Sequence, residues 1–295
     1  MATANDWLHA ARPNTLPLSI SPVIAGSAIA LAAGALNPPR ALLALLVAVT
    51  MQLGVNYAND YSDGIRGTDA HRVGPKRLVG SGTATPKAVK SAALACFTIG
   101  CAAGLTLAII TNLLWIIPLG AIIVAAAWFY TGGKHPYGYA GLGELSVLIF
   151  FGLVATAGTV VVQTGPAWPP APTLLAALAQ GAGATAVLVV NNLRDLESDK
   201  AAGKRTLAVL LADAPTRHLF LSLTAISLAA NIAVAALVTP WMLLCLAMLP
   251  FLLFADAPII HHHQGPPLIK SLKLASLGQL AGATGLFAGA IISTF

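Results

Sequence analysis

Two short stretches of the chain repeat the same arrangement of asparagine and aspartate. The first has Asn56 and Asp60, and the second has Asn191 and Asp195. Each asparagine precedes its aspartate by four residues, so in a helix the two side chains lie on one face. Carboxylate and amide oxygens are hard ligands that suit Mg²⁺. The spacing therefore predicts two oxygen-rich clusters that bind a divalent cation.

A further aspartate and a pair of basic residues follow each of these motifs. Asp63 follows the first motif and Asp199 the second, and basic pairs then occur at 76–77 and 204–205. Lysine and arginine bind phosphate oxygens through charge-assisted hydrogen bonds. The segments near 56–90 and 191–217 therefore read as two copies of one unit that would bind a metal and a phosphate together.

Ion pairing within the loops is an alternative explanation of the aspartates. Carboxylates near the C-terminus of a helix meet the negative end of the helix dipole, at a cost of up to about 1 kcal/mol each. A bound cation would offset that cost, and so would Arg66, Arg194 or Lys200. We expect the cation for the set of Asp60, Asp63, Asp195 and Asp199, although ion pairing could explain any one of them.

The elements that must position these motifs are membrane helices. Hydrophobic residues make up 57% of the 295-residue chain and charged residues only 9%, which excludes a soluble domain or a nucleic-acid-binding one. Apolar runs of roughly the 20 residues that cross a bilayer occur nine times. They are residues 16–35, 41–58, 91–110, 113–130, 145–162, 173–190, 219–238, 241–255 and 274–295. We predict an all-α polytopic membrane protein, with nine transmembrane helices in one bundle and a single domain over residues 1–295.

The distribution of charged residues between the two sides of the membrane indicates the orientation of these spans. With nine spans, Arg40 is the one basic residue of the sixteen on its side of the membrane, and all ten acidic residues lie on the other side. Basic residues accumulate in cytoplasmic loops. We therefore expect an active-site cavity at the cytoplasmic side. A secondary transporter, the competing class, usually places its acids near the bilayer midplane rather than at span ends.

The quoted motifs resemble those of the UbiA superfamily of membrane prenyltransferases. The motif of Asn191, Asp195 and Asp199 fits that family's pattern, whereas the first motif has Gly64 where the pattern has aspartate. Similar stretches cover residues 11–17, 56–67, 72–82, 130–144 and 191–207. Within the family the chain looks most like the menaquinone-pathway branch, which prenylates dihydroxynaphthoate in the bacterial cell membrane. Other aromatic acceptors, such as hydroxybenzoate or homogentisate, are the alternative.

The resemblance implies a set of site residues. Mg²⁺ would be held by Asn56, Asp60, Asp63, Asn191, Asp195 and Asp199, of which the four aspartates are also the catalytic candidates. The polyprenyl diphosphate would be held by Lys76, Arg77, Lys204 and Arg66. The allyl cation would be surrounded by tyrosines, chiefly Tyr130 and Tyr139, although these could instead be interfacial anchors. The acceptor carboxylate would be held by Arg12 or Lys134.

Two further expectations concern neighbouring groups. Glu144 could accept a proton or form an ion pair with a basic loop residue, and we expect the ion pair. The glycine-rich faces, such as Gly285 and Gly289, predict close helix packing within one bundle rather than an oligomer interface.

Overall fold

The computed structural model describes residues 2–67 and 77–295 and is helical throughout, with no strand in those two ranges. In chain order the helices are α1 (Ala4–Ala10), α2 (Pro17–Ala32), α3 (Pro38–Arg66), α4 (Pro86–Thr111), α5 (Ile116–Phe129), α6 (Gly143–Thr164), α7 (Pro170–Arg194), α8 (Leu196–Ala201), α9 (Leu207–Leu211), α10 (Asp213–Val238), α11 (Pro240–Ile260) and α12 (Pro266–Ile292). The predicted all-α class is confirmed.

Seven of the described helices are long and apolar enough to cross a membrane: α3, α4, α6, α7, α10, α11 and α12. An eighth span is formed if the N-terminal helices, bent by 49° before Pro17, count as one. The predicted run 113–130 is shorter in the structure, where α5 has 14 residues. The reason is local, because Asn112 ends α4 with a left-handed φ of 56° and the chain turns before α5 begins.

The core of the bundle is built on α7 and α12. Helix α7 packs against α10 and α6, and α12 packs against α11, α2 and α7. Added Cβ atoms on Gly285 and Gly289 would lie 2.2 and 2.3 Å from the carbonyl oxygens of Leu244 and Trp241 in α11. These glycines therefore serve packing between helices of one chain, as the sequence predicts.

Arg40, the basic residue predicted to be alone on its side, has a structural partner there. Its guanidinium Nη1 donates hydrogen bonds to the carbonyl oxygens of Val162 at 3.1 Å and Gln163 at 3.4 Å. Both carbonyls belong to the last turn of α6, where carbonyl groups lack helical donors. A cation at that position also complements the helix dipole.

The two aspartate motifs lie at corresponding helix ends. The first occupies the last turns of α3, and the second spans the end of α7 and the start of α8. Lys204 lies 3.7 Å from a carboxylate of each motif, so the two helix ends meet in one place. The fold thus positions both motifs to form one site.

Candidate functional site

Asp60 is the most enclosed carboxylate of the first motif. It is 0% exposed, and its two oxygens accept hydrogen bonds from the backbone N–H groups of Leu78 and Val79, each at 2.9 Å. The side chain therefore fastens the segment that precedes α4 onto α3. In this arrangement Asp60 has a structural role, and its function as a metal ligand stays a prediction.

The same segment explains why glycine stands at position 64. A Cβ added to Gly64 would lie 2.4 Å from Val79 Cγ1 and 3.2 Å from the backbone nitrogen of Gly80. Separations below 3 Å require the neighbours to move. An aspartate would therefore not fit at residue 64 while Asp60 holds Leu78 and Val79 in place.

Lys204 brings the two aspartate motifs together. Its Nζ lies 3.7 Å from Asp63 Oδ2 of the first motif and 3.7 Å from Asp199 Oδ1 of the second. Asp63 also accepts a hydrogen bond from the Tyr139 hydroxyl. All three charged side chains are largely buried, so their attraction is screened less than at a surface. The two motifs that repeat in the sequence are therefore also neighbours in the structure.

Asp195, in contrast, is paired with the residue before it. Arg194 donates from Nε and Nη2 to the two Asp195 oxygens at 2.8 and 2.7 Å, and from Nη2 to Asn191 Oδ1 at 3.0 Å. The bidentate geometry is the strong form of this ion pair. Asp195 is thus ion-paired with Arg194, one of the partners that the ion-pair explanation names, whereas Asp63 and Asp199 approach Lys204, which it does not name.

The loop after α5 is hydrogen-bonded to the end of α3. Arg66 donates hydrogen bonds to the carbonyl oxygens of Thr131 and Gly133, and the Thr131 hydroxyl donates to Asn59 Oδ1 at 2.7 Å. Arg66 is thus engaged by the backbone of this loop. Its predicted contact with a diphosphate stays a prediction.

One aromatic ring of this loop, that of Tyr139, lies against two cationic side chains. Lys204 Nζ lies 4.7 Å from the centroid of the Tyr139 ring, and the Arg66 guanidinium lies 5.6 Å from it. Tyr130 and Tyr137 stack edge to face with centroids 5.5 Å apart. Burial raises the pKa of the Tyr137 phenol, so this ring stays neutral at physiological pH. Tyr139 is the ring that directly contacts both cationic groups.

The segment before α2 lies beside the first motif. Asn56 Nδ2 donates to the carbonyl oxygen of Ala11 at 2.9 Å, which fixes the chain next to Arg12. Arg12 adopts a left-handed backbone with φ of 56°. The start of α6 lies at Tyr130, because a Cβ added to Gly143 would lie 3.0 Å from the Tyr130 hydroxyl.

The prediction that Glu144 forms an ion pair with a basic loop residue is wrong. Its Oε1 accepts a hydrogen bond from Asn192 Nδ2 at 2.9 Å, and no basic side chain in residues 2–67 or 77–295 pairs with it. The physical reason is its position inside the first turn of α6, only 6% exposed, where the neighbouring helix α7 offers an amide rather than a cation.

The remaining predicted residues are dispersed. Lys134 is exposed in the loop after α5, and Arg77 is buried next to the segment that Asp60 holds. Lys76 lies outside the described residues. Sequence reasoning missed Asn59, Thr131 and Asn192, all of which are buried and polar. The position of Asn59 and Asn192 directly beside predicted ligands was the available signal.

The donor set fits Mg²⁺ held jointly with a substrate. Among the described residues, no three histidine, cysteine, aspartate or glutamate side chains converge on one point that could hold a metal alone. Asp63 and Asp199 nevertheless approach the same nitrogen of Lys204. Mg²⁺ usually takes one or two carboxylates and completes its shell with water and phosphate oxygens. These two carboxylates suit such an ion better than Asp60, whose oxygens already bind backbone.

Comparisons with known proteins show which sequences and folds this chain is similar to. Relatives with similar sequences include the 1,4-dihydroxy-2-naphthoate octaprenyltransferase of Mycobacterium tuberculosis, 48% identical over 99% of this chain and 98% of that protein. The enzyme of the same name from Escherichia coli is 36% identical over 95% of this chain and 94% of that protein.

Solved structures with a similar fold are more distant in sequence. A UbiA homologue from Aeropyrum pernix matches with a TM-score of 0.72 and 18% identity, over 94% of this chain and 98% of that one. A homologue from Archaeoglobus fulgidus, bound to GPP and Mg²⁺, matches with a TM-score of 0.64 and 14% identity, over 96% and 99%. The model of the UbiA prenyltransferase family matches residues 19–277. The chain belongs to the UbiA prenyltransferase family.

Proposed function

We propose that this protein transfers a polyprenyl chain from polyprenyl diphosphate to 1,4-dihydroxy-2-naphthoate, with loss of CO₂, to give demethylmenaquinone. The observation that carries the proposal is similarity along nearly the whole chain to enzymes named for that acceptor. A UbiA-type transferase that uses hydroxybenzoate or homogentisate is the alternative acceptor class.

The residues of the site suit cleavage of an allylic diphosphate. The C–O bond breaks readily when the leaving diphosphate is neutralised, so interactions that strengthen with its developing charge accelerate the reaction. Lys204 is suited to this role, because its ammonium lies between the two motifs rather than at the surface. Arg66, Arg77 and Lys76 are the further proposed contacts. Mg²⁺, when bound with the substrate, would supply additional neutralising charge on the diphosphate oxygens.

The allyl cation that remains must be kept from water, which would quench it. Tyr139 already faces two cationic side chains, and its ring can stabilise a third positive centre in the same way. Tyr130 lies beside it in the same loop region. Both are proposed to line the prenyl-binding part of the site.

A cation at the mouth of the site would hold the carboxylate of the acceptor. Arg12 is the preferred candidate, since Asn56 of the first motif holds the carbonyl oxygen of the preceding residue, Ala11, at 2.9 Å. Lys134 is the second candidate and is exposed. An arginine can bind a carboxylate with two parallel hydrogen bonds, which would orient the ring.

The finer topology is part of the proposal. We infer nine spans, with α2 and α5 added to the seven long helices, and a site that faces the cytoplasm of a bacterial cell. The support is the charge distribution, which leaves Arg40 alone among the basic residues on the opposite side.

The metal requirement has a direct test. Purified protein in lipid is given labelled prenyl diphosphate and dihydroxynaphthoate, and lipid-extractable label is counted with Mg²⁺ and after EDTA. We expect incorporation to stop with EDTA and to return when Mg²⁺ is added in excess. Equal incorporation with and without EDTA would contradict the metal assignment.

A further inference from the structure

Among the described carboxylates of the site, Glu144 and Asp60 have no cationic partner, and the oxygens of Asp60 bind backbone N–H groups instead. Asp63 and Asp199 are paired with Lys204, and Asp195 is paired with Arg194. Within residues 2–67 and 77–295, no basic group lies at ion-pair distance from Glu144, although it is only 6% exposed. A buried charge without a counterion is costly. Such a group is therefore unlike a structural ion pair and is a candidate for contact with a ligand.

The carboxylate is nevertheless held in a fixed orientation. Asn192 Nδ2 donates to Oε1 at 2.9 Å, and Asn192 is itself buried in α7. Glu144 also lies in the first turn of the helix Gly143–Thr164, where free backbone N–H groups favour a negative charge. One oxygen is thus fixed by a neutral donor, without a salt bridge to any described residue.

The second oxygen of Glu144 is free to accept a hydrogen bond. Oε2 accepts no hydrogen bond from the side chain or backbone of another described residue. A ligand that carries a hydroxyl would supply the missing donor.

The surroundings of Glu144 match a hydroxylated aromatic acid. A Cβ on Gly143 would lie 3.0 Å from the Tyr130 hydroxyl, so the start of α6 directly contacts this ring. Arg12 follows Ala11, whose carbonyl oxygen is held by Asn56 of the first motif at 2.9 Å. A ring beside Tyr130 could thus meet a cation at its carboxylate and an anion at its hydroxyl.

We propose that Glu144 is the hydrogen-bond acceptor for a hydroxyl group of the aromatic acceptor and thereby selects hydroxylated rings. The inference rests on the proposed function, because it assigns one residue to that acceptor. The alternative is a structural role, in which Glu144 only ties α6 to Asn192 of α7.

Glu144→Gln separates these two roles. The glutamine Oε1 can still accept from Asn192, while its amide group replaces the oxygen that would face the acceptor. We expect the KM for dihydroxynaphthoate to rise about tenfold or more, which corresponds to about 1.4 kcal/mol or more of lost binding, with an unchanged KM for the prenyl diphosphate. Glu197→Gln is the matched control, since Glu197 is an exposed acid on α8. An unchanged acceptor KM, or equal loss for both substrates, would overturn the proposal.

A second measurement does not depend on how the variant folds. The two mono-O-methyl ethers of dihydroxynaphthoate are tested as competitors of the wild-type enzyme. We expect one ether to compete about tenfold or more weakly than the parent diol, because it cannot donate to Glu144. Equal competition by both ethers would refute the proposal. If the wild-type protein prenylates no aromatic acid at all, the proposed function fails instead.

Discussion

Asp60→Asn is the substitution that best separates a structural role from a catalytic one. The asparagine keeps the shape of the side chain but replaces one carboxylate oxygen by an amide group. That group cannot accept a hydrogen bond from Leu78 or Val79, each of which donates to Asp60 at 2.9 Å. One buried backbone N–H is then left facing another donor.

The size of the effect follows from this contact. A hydrogen bond to a charged group contributes about 1.5–3 kcal/mol, and more is lost when a buried donor is left unpaired. Since about 1.4 kcal/mol is a factor of ten, local detachment of the segment at Leu78 should become about ten to one hundred times more frequent. The bulk of the bundle, built on α7 and α12, should keep its stability.

Trypsin cleavage after Arg77 measures this detachment. The bond that is cut joins Arg77 to Leu78, whose N–H must leave Asp60 before a protease can bind the segment. In detergent-solubilised protein without Mg²⁺, the rate at this bond should rise by about the factor of local opening. Mass spectrometry identifies the cut, and Glu197→Gln serves as the control with an unaltered rate.

The two explanations of Asp60 give different results. If Asp60 were a metal ligand only, Asp60→Asn would lose activity and leave cleavage after Arg77 unchanged in the absence of metal. An unchanged cleavage rate would therefore refute the structural role argued from the contacts with Leu78 and Val79.

Three further predictions use the same protein. Gly64→Ala should destabilise the protein by about 1–3 kcal/mol through overpacking against Val79, measured as a lower Tm. Gly104→Ala is the control and should leave the Tm unchanged, because its added Cβ would lie 3.9 Å from its nearest neighbour. Equal Tm values for the two variants would contradict this prediction. Lys204→Met should raise the KM for the prenyl diphosphate about tenfold or more with a smaller change for the acceptor, as expected for a lost charge-assisted contact, and equal changes for both substrates would argue against it. Asp195→Asn should lose activity while the protein stays folded by Tm, and an active variant would remove Asp195 from the site.

Much of the fold could be predicted from the sequence, because the signals are strong and local. Long uncharged runs define helices in a membrane, and the repeated asparagine and aspartate motifs mark equivalent helix ends. The exception was the run 113–130. There the left-handed turn at Asn112 shortens α5, and an apolar run does not reveal such a turn.

The partners of individual site residues could not be predicted in the same way. Asp60 binds backbone groups of Leu78 and Val79, and backbone donors leave no pattern in the residue types. Glu144 meets Asn192 from a helix more than forty residues away in sequence. Such pairs depend on how α6 and α7 pack, which the hydrophobic pattern of either helix does not specify.

The identity of the reaction can be read from the mass of the lipid that the protein produces. Protein reconstituted in lipid is offered a panel of aromatic acids with a polyprenyl diphosphate and Mg²⁺, and the extracted lipids are weighed by mass spectrometry. We predict a prenylated product from dihydroxynaphthoate that has lost the mass of CO₂, and little or none from hydroxybenzoate or homogentisate. A product from one of the other acids alone, or no product from any of them, would contradict the assignment of dihydroxynaphthoate as the acceptor.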